Sequence, residues 1–162
     1  MGNVVSQDEL ILQRREWKRN GKRVVFASGV FDILHPGNIR LLDQARSLGD
    51  VLVVGVQSDA SAASLVTKDV RKLVTPGKER MEILAALAAV TCVVEFDEPD
   101  SRPLLARLAP DVVVKGGSEG SDASAFREDA EAEAAGIKVV RIPLEPGYST
   151  ERLLERIQQT HA

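Results

Sequence analysis

Cysteine is nearly absent: Cys92 stands alone, which excludes an internal disulfide framework and any clustered-cysteine metal site. No stretch approaches the roughly 18 consecutive apolar residues of a membrane span. Residues 1–20 lack the apolar core of a secretory signal, so a reducing cytoplasm is the expected compartment. Charge of one sign is also missing. Lys plus Arg number 21 against 24 Asp plus Glu, a net charge of −3. That balance is wrong for a strongly basic nucleic-acid binder, and the composition is wrong for a disordered tail. Neither G-x-G-x-x-G nor G-x-x-x-x-G-K-[ST] occurs, so the dinucleotide and P-loop readings fail. The start Gly2-Asn3-Val4-Val5-Ser6 fits the short myristoylation pattern, although one acyl chain is a marginal anchor. What is present is a 44% hydrophobic content over 162 residues, enough for one domain with a single core.

The hydrophobic pattern alternates. Residues 1–21 form a polar segment with Leu10, Ile11 and Trp17. It reads as a helical extension with Ser6 and Glu9 as a capping box and Asn20-Gly21 as its stop. Residues 22–162 form the domain proper. Short β-branched runs predict strands at Arg23–Ala27, Val51–Val56, Cys92–Phe96, Asp111–Val114 and Lys138–Ile142. Helical spacing predicts helices over Ile39–Leu48, Lys78–Ala89, Ser101–Leu108, Ala123–Ala135 and Thr150–Gln159. Continuous apolar strands alternating with helices give an α/β, Rossmann-like, doubly wound parallel sheet in a single domain.

Such a sheet carries its site beyond the C-terminal ends of the strands. Ser28 to Asn38 leaves the first long strand. Gly29 permits a close turn, and Gly37 opens a helix whose free N–H groups attract phosphate, with His35 beside them. Thr67 to Pro76 brings Lys68, Arg71 and Lys72 near one strand end, where they can neutralise a polyphosphate, and Arg80 follows on the next helix. Lys115-Gly116-Gly117 lets a flat ligand lie on bare backbone. Ser149 or Thr150 caps the last helix. Taken singly, each has a plain structural reading: a packing or capping histidine, a solvated basic loop, a surface arginine, a flexible turn, an ordinary N-cap. Cys92 reads as a small buried side chain. No set of acidic residues is spaced to hold a metal.

Together the segments Gly29-Val30-Phe31-Asp32-Ile33-Leu34-His35-Pro36-Gly37, Ser58-Asp59, Lys78-Glu79-Arg80, Asp111 to Gly117 and Gly147-Tyr148-Ser149-Thr150 resemble the H-x-G-H nucleotidyltransferases. Within that superfamily they are most like the D-glycero-β-D-manno-heptose 1-phosphate adenylyltransferase domain of the bacterial ADP-heptose synthases. The likeness runs from about Arg23 to Ile157 with the motifs in family order. It implies transfer of AMP from ATP to a sugar 1-phosphate, with ATP (or CTP) and the sugar phosphate as partners and Mg²⁺ held through the nucleotide phosphates. It implies neither a nucleic acid nor a membrane partner, and it suggests a homodimer. By position it implies that His35, Asn38, Arg71 and Lys72 serve catalysis. Ser28, Gly29, Val30, Phe31, His35, Gly37, Asn38, Lys115, Gly116, Gly117, Tyr148, Ser149 and Thr150 would contact nucleotide. Asp32, Lys68 and Arg80 would contact the sugar phosphate.

The chain departs from the pattern where it matters. Asn38 replaces the motif's second histidine, keeping an N–H donor but losing imidazolium charge. Losing a charge-assisted donor costs roughly 1.5–3 kcal/mol, or about 10- to 200-fold in rate. Lys72-Leu73 stands where the family often has Arg-Pro, and Ser118 where it often has an acidic residue. Two other functions therefore remain open: cytidylyl transfer to a polyol or glycerol phosphate, and nucleotide binding without catalysis.

Overall fold

The β-branched runs assemble as the pattern predicts. In a computed structural model that describes residues 1–64, 73–116 and 123–160, the elements run β1 (Asn3–Val4), α1 (Gln7–Arg19), β2 (Val24–Gly29), α2 (Pro36–Ser47), β3 (Val51–Gln57), α3 (Asp59–Ser64) and α4 (Gly77–Ala85). They continue with β4 (Cys92–Phe96), α5 (Arg102–Leu108), β5 (Val112–Gly116), α6 (Ala123–Ala134), β6 (Lys138–Ile142) and α7 (Thr150–Thr160). Every residue of β3 is buried, as a strand covered on both faces must be.

Among the described residues the strands form one six-stranded sheet in the order β1-β4-β3-β2-β5-β6, parallel at every pairing. Alternation along β2 divides the core. Val25 and Ala27 join Leu42, Ala45 and Leu84 on the α2–α4 face. Val24 and Phe26 join Leu10, Leu104, Leu105 and Ala132 on the α1–α5–α6 face. From β2 the chain builds outward through β3 and β4, then returns to β2's other side as β5 and continues to β6. The switch therefore falls between β2 and β5, where Val25 pairs with Val112 and Ala27 with Val114. A crevice opens at the carboxyl ends of such a strand pair.

Residues 1–21 are more than a helical extension. β1 continues the sheet beyond β4, with Asn3 opposite Cys92 and Val4 opposite Val93. Gly2 donates its N–H to the Ala85 carbonyl at 2.8 Å, and a methyl group at Gly2 would meet the Val90 carbonyl oxygen at 2.6 Å. Close backbone packing thus accounts for glycine at this position independently of any acylation pattern. α1 starts at the expected capping box: Glu9 N–H donates to Ser6 Oγ at 3.2 Å, and Ser6 N–H donates to Glu9 Oε2 at 2.7 Å. Those Ser6 hydrogen bonds hold Glu9 below the usual carboxylate range. The helix buries Leu10 and packs Ile11 and Trp17 on the same cluster. Its Arg14 donates to the Ala109 carbonyl at 2.9 Å and pairs with Asp111 at 3.3 Å, tying α1 to the α5–β5 junction.

Cys92 is buried, and burial pushes its thiol pKa up, so the sulfur is a packing atom rather than a thiolate. Among the described residues no helix is long and apolar enough to cross a membrane.

Candidate active site

The segment leaving β2 folds tightly against the sheet. Phe31 takes a left-handed backbone conformation, φ 52°, which is rare and costly for a bulky side chain. Its ring lies over Gly29, where a methyl group would come within 3.1 Å. Beyond it, Asp32 is 7% exposed. Its carboxylate accepts from the Thr75 N–H at 2.8 Å and from the Val74 N–H at 3.0 Å. Asp32 therefore brackets the first site loop to the segment that follows the basic run.

Arg80 reinforces the bracket from below. It is 1% exposed and donates to the Thr75 carbonyl at 3.1 Å, the Gln57 carbonyl at 2.9 Å, the Val30 carbonyl, and Asp59 Oδ1 at 2.7 Å. The Gly77 N–H and the Arg80 guanidinium hold Asp59 below the usual carboxylate range. Sequence placed Arg80 at the sugar phosphate. The structure commits its guanidinium to protein acceptors, so it positions loops rather than contacting ligand. A buried cation needs such partners.

α2 begins at His35, whose extended backbone occupies the N-cap position ahead of Pro36. Asn38 Oδ1 accepts the His35 N–H at 3.1 Å, which fixes the amide orientation and leaves Nδ2 as the group's donor end. The His35 ring stacks on Tyr148, centroids 6.4 Å apart and planes 14° from parallel. Its Nδ1 is buried and has no hydrogen-bond partner among the described residues. A methyl group at Gly37 would stand 2.9 Å from that nitrogen. Burial lowers the His35 pKa despite the opposing Glu151 carboxylate, so the imidazole is neutral near pH 7.

The loop between β6 and α7 forms the far wall. Ser149 Oγ accepts the Arg152 N–H at 3.1 Å and is the cap of α7. Thr150 instead reaches the Ile33 carbonyl at 3.5 Å, joining the two site loops. Between His35 and α7 lies an open cleft of about 360 Å³ onto which Tyr148, Ser149, Arg152 and Arg156 face. The two arginines were not singled out from sequence; their four-residue spacing just after Ser149-Thr150 is the signal that could have found them.

The β5 end divides. Gly116 lies on the α2 side, where a methyl group would stand 2.9 Å from Leu41. Lys115 turns to the other face and pairs with Glu128 of α6, next to an Arg141–Asp129 pair. This replaces the expectation that its ammonium meets nucleotide, because period-two alternation sends neighbouring side chains to opposite faces. Ser28 sits at the end of β2 opposite Gly55. Lys68, Arg71, Lys72 and Gly117 lie outside the described residues. Among the described residues no group of three or more His, Cys, Asp or Glu side chains could hold a metal ion. The cleft is lined by the His35 imidazole, by Ser149 and by two guanidiniums, Arg152 and Arg156, with the Glu155 carboxylate among them.

The doubly wound sheet thus sets an imidazole at the N-terminus of α2, beside the topological switch point, with the N-terminus of α7 across the cleft from it. The chain belongs to the cytidylyltransferase-like family, whose model matches residues 26–156, and so to the H-x-G-H nucleotidyltransferases. It is 40% identical over 153 residues to the bifunctional protein HldE of Koribacter versatilis, covering 94% of this chain and 31% of that protein. With HldE of Rhodopseudomonas palustris (strain HaA2) it is 41% identical over 156 residues, covering 96% of this chain and 31% of that protein. The chain thus spans about a third of the length of these curated relatives. A lipopolysaccharide core biosynthesis protein from Thermoplasma volcanium shares the fold at a TM-score of 0.62 and 27% identity, over 77% of this chain and 98% of its own.

Proposed function

We propose that the protein transfers AMP from Mg-ATP to a heptose 1-phosphate, releasing pyrophosphate. The observation that carries this reading is the pairing of the His35–Asn38 helix start with the Tyr148–Thr150 loop across the switch point, together with 40% identity to HldE proteins along nearly the whole chain. The sugar-phosphate oxygen attacks the α-phosphorus in line. A new P–O bond forms as the bond to the β-phosphate bridging oxygen breaks, and the electron pair leaves on pyrophosphate. No protein nucleophile is needed; positioning and charge stabilisation do the catalysis. His35, neutral, donates one hydrogen bond. Asn38 Nδ2 and the Gly37 N–H at the start of α2 add others, the Asn38 and Ile39 N–H groups being taken by the His35 carbonyl, and Ser149 opens α7 toward the same space. Lys72, Arg71 and Lys68 supply cationic charge to the phosphates, and Gly116 with Gly117 packs near the base. Mg²⁺ arrives with the nucleotide phosphates.

The test is pyrophosphate release with Mg-ATP or Mg-CTP and D-glycero-β-D-manno-heptose 1-phosphate, run beside Asn38→His. Turnover with ATP alone, about 10- to 200-fold faster in the variant, is the expected result. Clear preference for CTP would overturn the choice of base. Tight nucleotide binding with no turnover in either protein would make this a binding protein, the reading that Asn38 itself favours.

A further inference from the structure

We propose that Arg40, braced by Glu145, is the positioning residue for His35, acting through the ring of Tyr148; the assignment rests on the nucleotidyltransferase reading of the cleft. Histidines at functional sites are usually oriented by a hydrogen bond from the second ring nitrogen. His35 has none among the described residues: its Nδ1 is buried and without a partner there. Packing alone sets the ring. Gly37 is the floor, where even a methyl group would approach Nδ1 to 2.9 Å, and Tyr148 is the wall. The wall is in turn held by Arg40. Its guanidinium carbon lies 5.3 Å from the Tyr148 centroid, and the same side chain pairs with Glu145 in the loop that carries Tyr148. The Tyr148 N–H closes that loop onto the Glu145 carbonyl at 3.4 Å.

Arg40 thus grips the loop twice, once at a carboxylate and once at an aromatic face, and both grips bear on the one ring that orients the imidazole. The other charged groups about the imidazole belong to α7. Glu151 acts on it electrostatically, and Arg152, Glu155 and Arg156 face the shared cleft. None of them contacts Tyr148's ring among the described contacts.

The chain has only two histidines, His35 and His161, so imidazole NMR reads His35 directly, with His161 as an internal control. Arg40→Ala should shift and broaden the His35 ring signals while leaving those of His161 in place. It should also lower kcat for pyrophosphate release by about tenfold, with a smaller change in the nucleotide KM. Arg40→Lys keeps the charge for Glu145 but lacks the flat guanidinium, so it should restore part of both effects. Glu145→Gln should move the signals the same way by less. Unmoved His35 signals in Arg40→Ala, or a kcat within about twofold of the parent, would overturn the proposal. If the parent chain releases no pyrophosphate while the His35 signals still follow Arg40, the activity reading fails and Arg40's hold on His35 stands.

Discussion

Arg80 and His35 illustrate opposite ways of placing a titratable side chain at a site. Arg80 is accommodated in the interior because Asp59 and the carbonyls of Val30, Gln57 and Thr75 accept its hydrogen bonds. Removing it strands those acceptors, so Arg80→Met should cost about 3 kcal/mol, a fall in Tm of about 6–12 °C for a chain of this size, read by calorimetry. His35 favours the neutral form in the folded state because partial burial disfavours its charge. Its folded pKa lies below the unfolded value of about 6.5, so the unfolded chain binds more protons in the window just beneath that value. The corresponding stability is fully present above about pH 6.5 and is lost as pH falls toward the lowered pKa. Between pH 7 and pH 5 the Tm of the parent should therefore fall more steeply than that of His35→Gln; parallel curves would show that the imidazole carries no such linkage.

At the scale of elements, length and composition decided what could be read in advance. The runs in β3, β4 and β6 are β-branched and contiguous, and the structure places them within a residue or so of the sequence reading. β1 escaped notice because two residues carry no period. α3 escaped because Asp-Ala-Ser-Ala-Ala-Ser has no apolar stripe; it buries only Ser61 and Ala62. α4 stops at Ala85, short of the predicted Ala89, since the chain must reverse to enter β4 and that requirement overrides the helix propensity of its alanines. At the site, the His35 and Ser149 helix starts were legible from local chemistry. The inward turn of Arg80 and the pairing of Lys115 with Glu128 were not, because each depends on partners distant in sequence. β1 offers a direct check on its own role. Gly2→Ala should force it off the β4 edge, and the Asn3 and Val5 amides, which now donate to Thr91 and Val93 carbonyls, should exchange with deuterium far faster while β2 and β3 keep their protection.

For the whole molecule, the site belongs to neither half of the chain. Residues up to β4 supply the imidazole, the Asn38 amide and the Asp32–Arg80 bracket; residues from β5 onward supply Gly116, Tyr148 and the α7 cap. The halves meet through the β2–β5 ladder, the Arg14 contacts and the hydrogen bond from Thr150 to Ile33. On the function proposed above, a nucleotide seated there would touch both sides and be lost when they part. Mass action would then make substrate a clamp on the fold itself. At a hundred times its Kd, a ligand bound only to the folded form adds about 2.7 kcal/mol of stability, gripping the sheet across the seam where its two halves are joined.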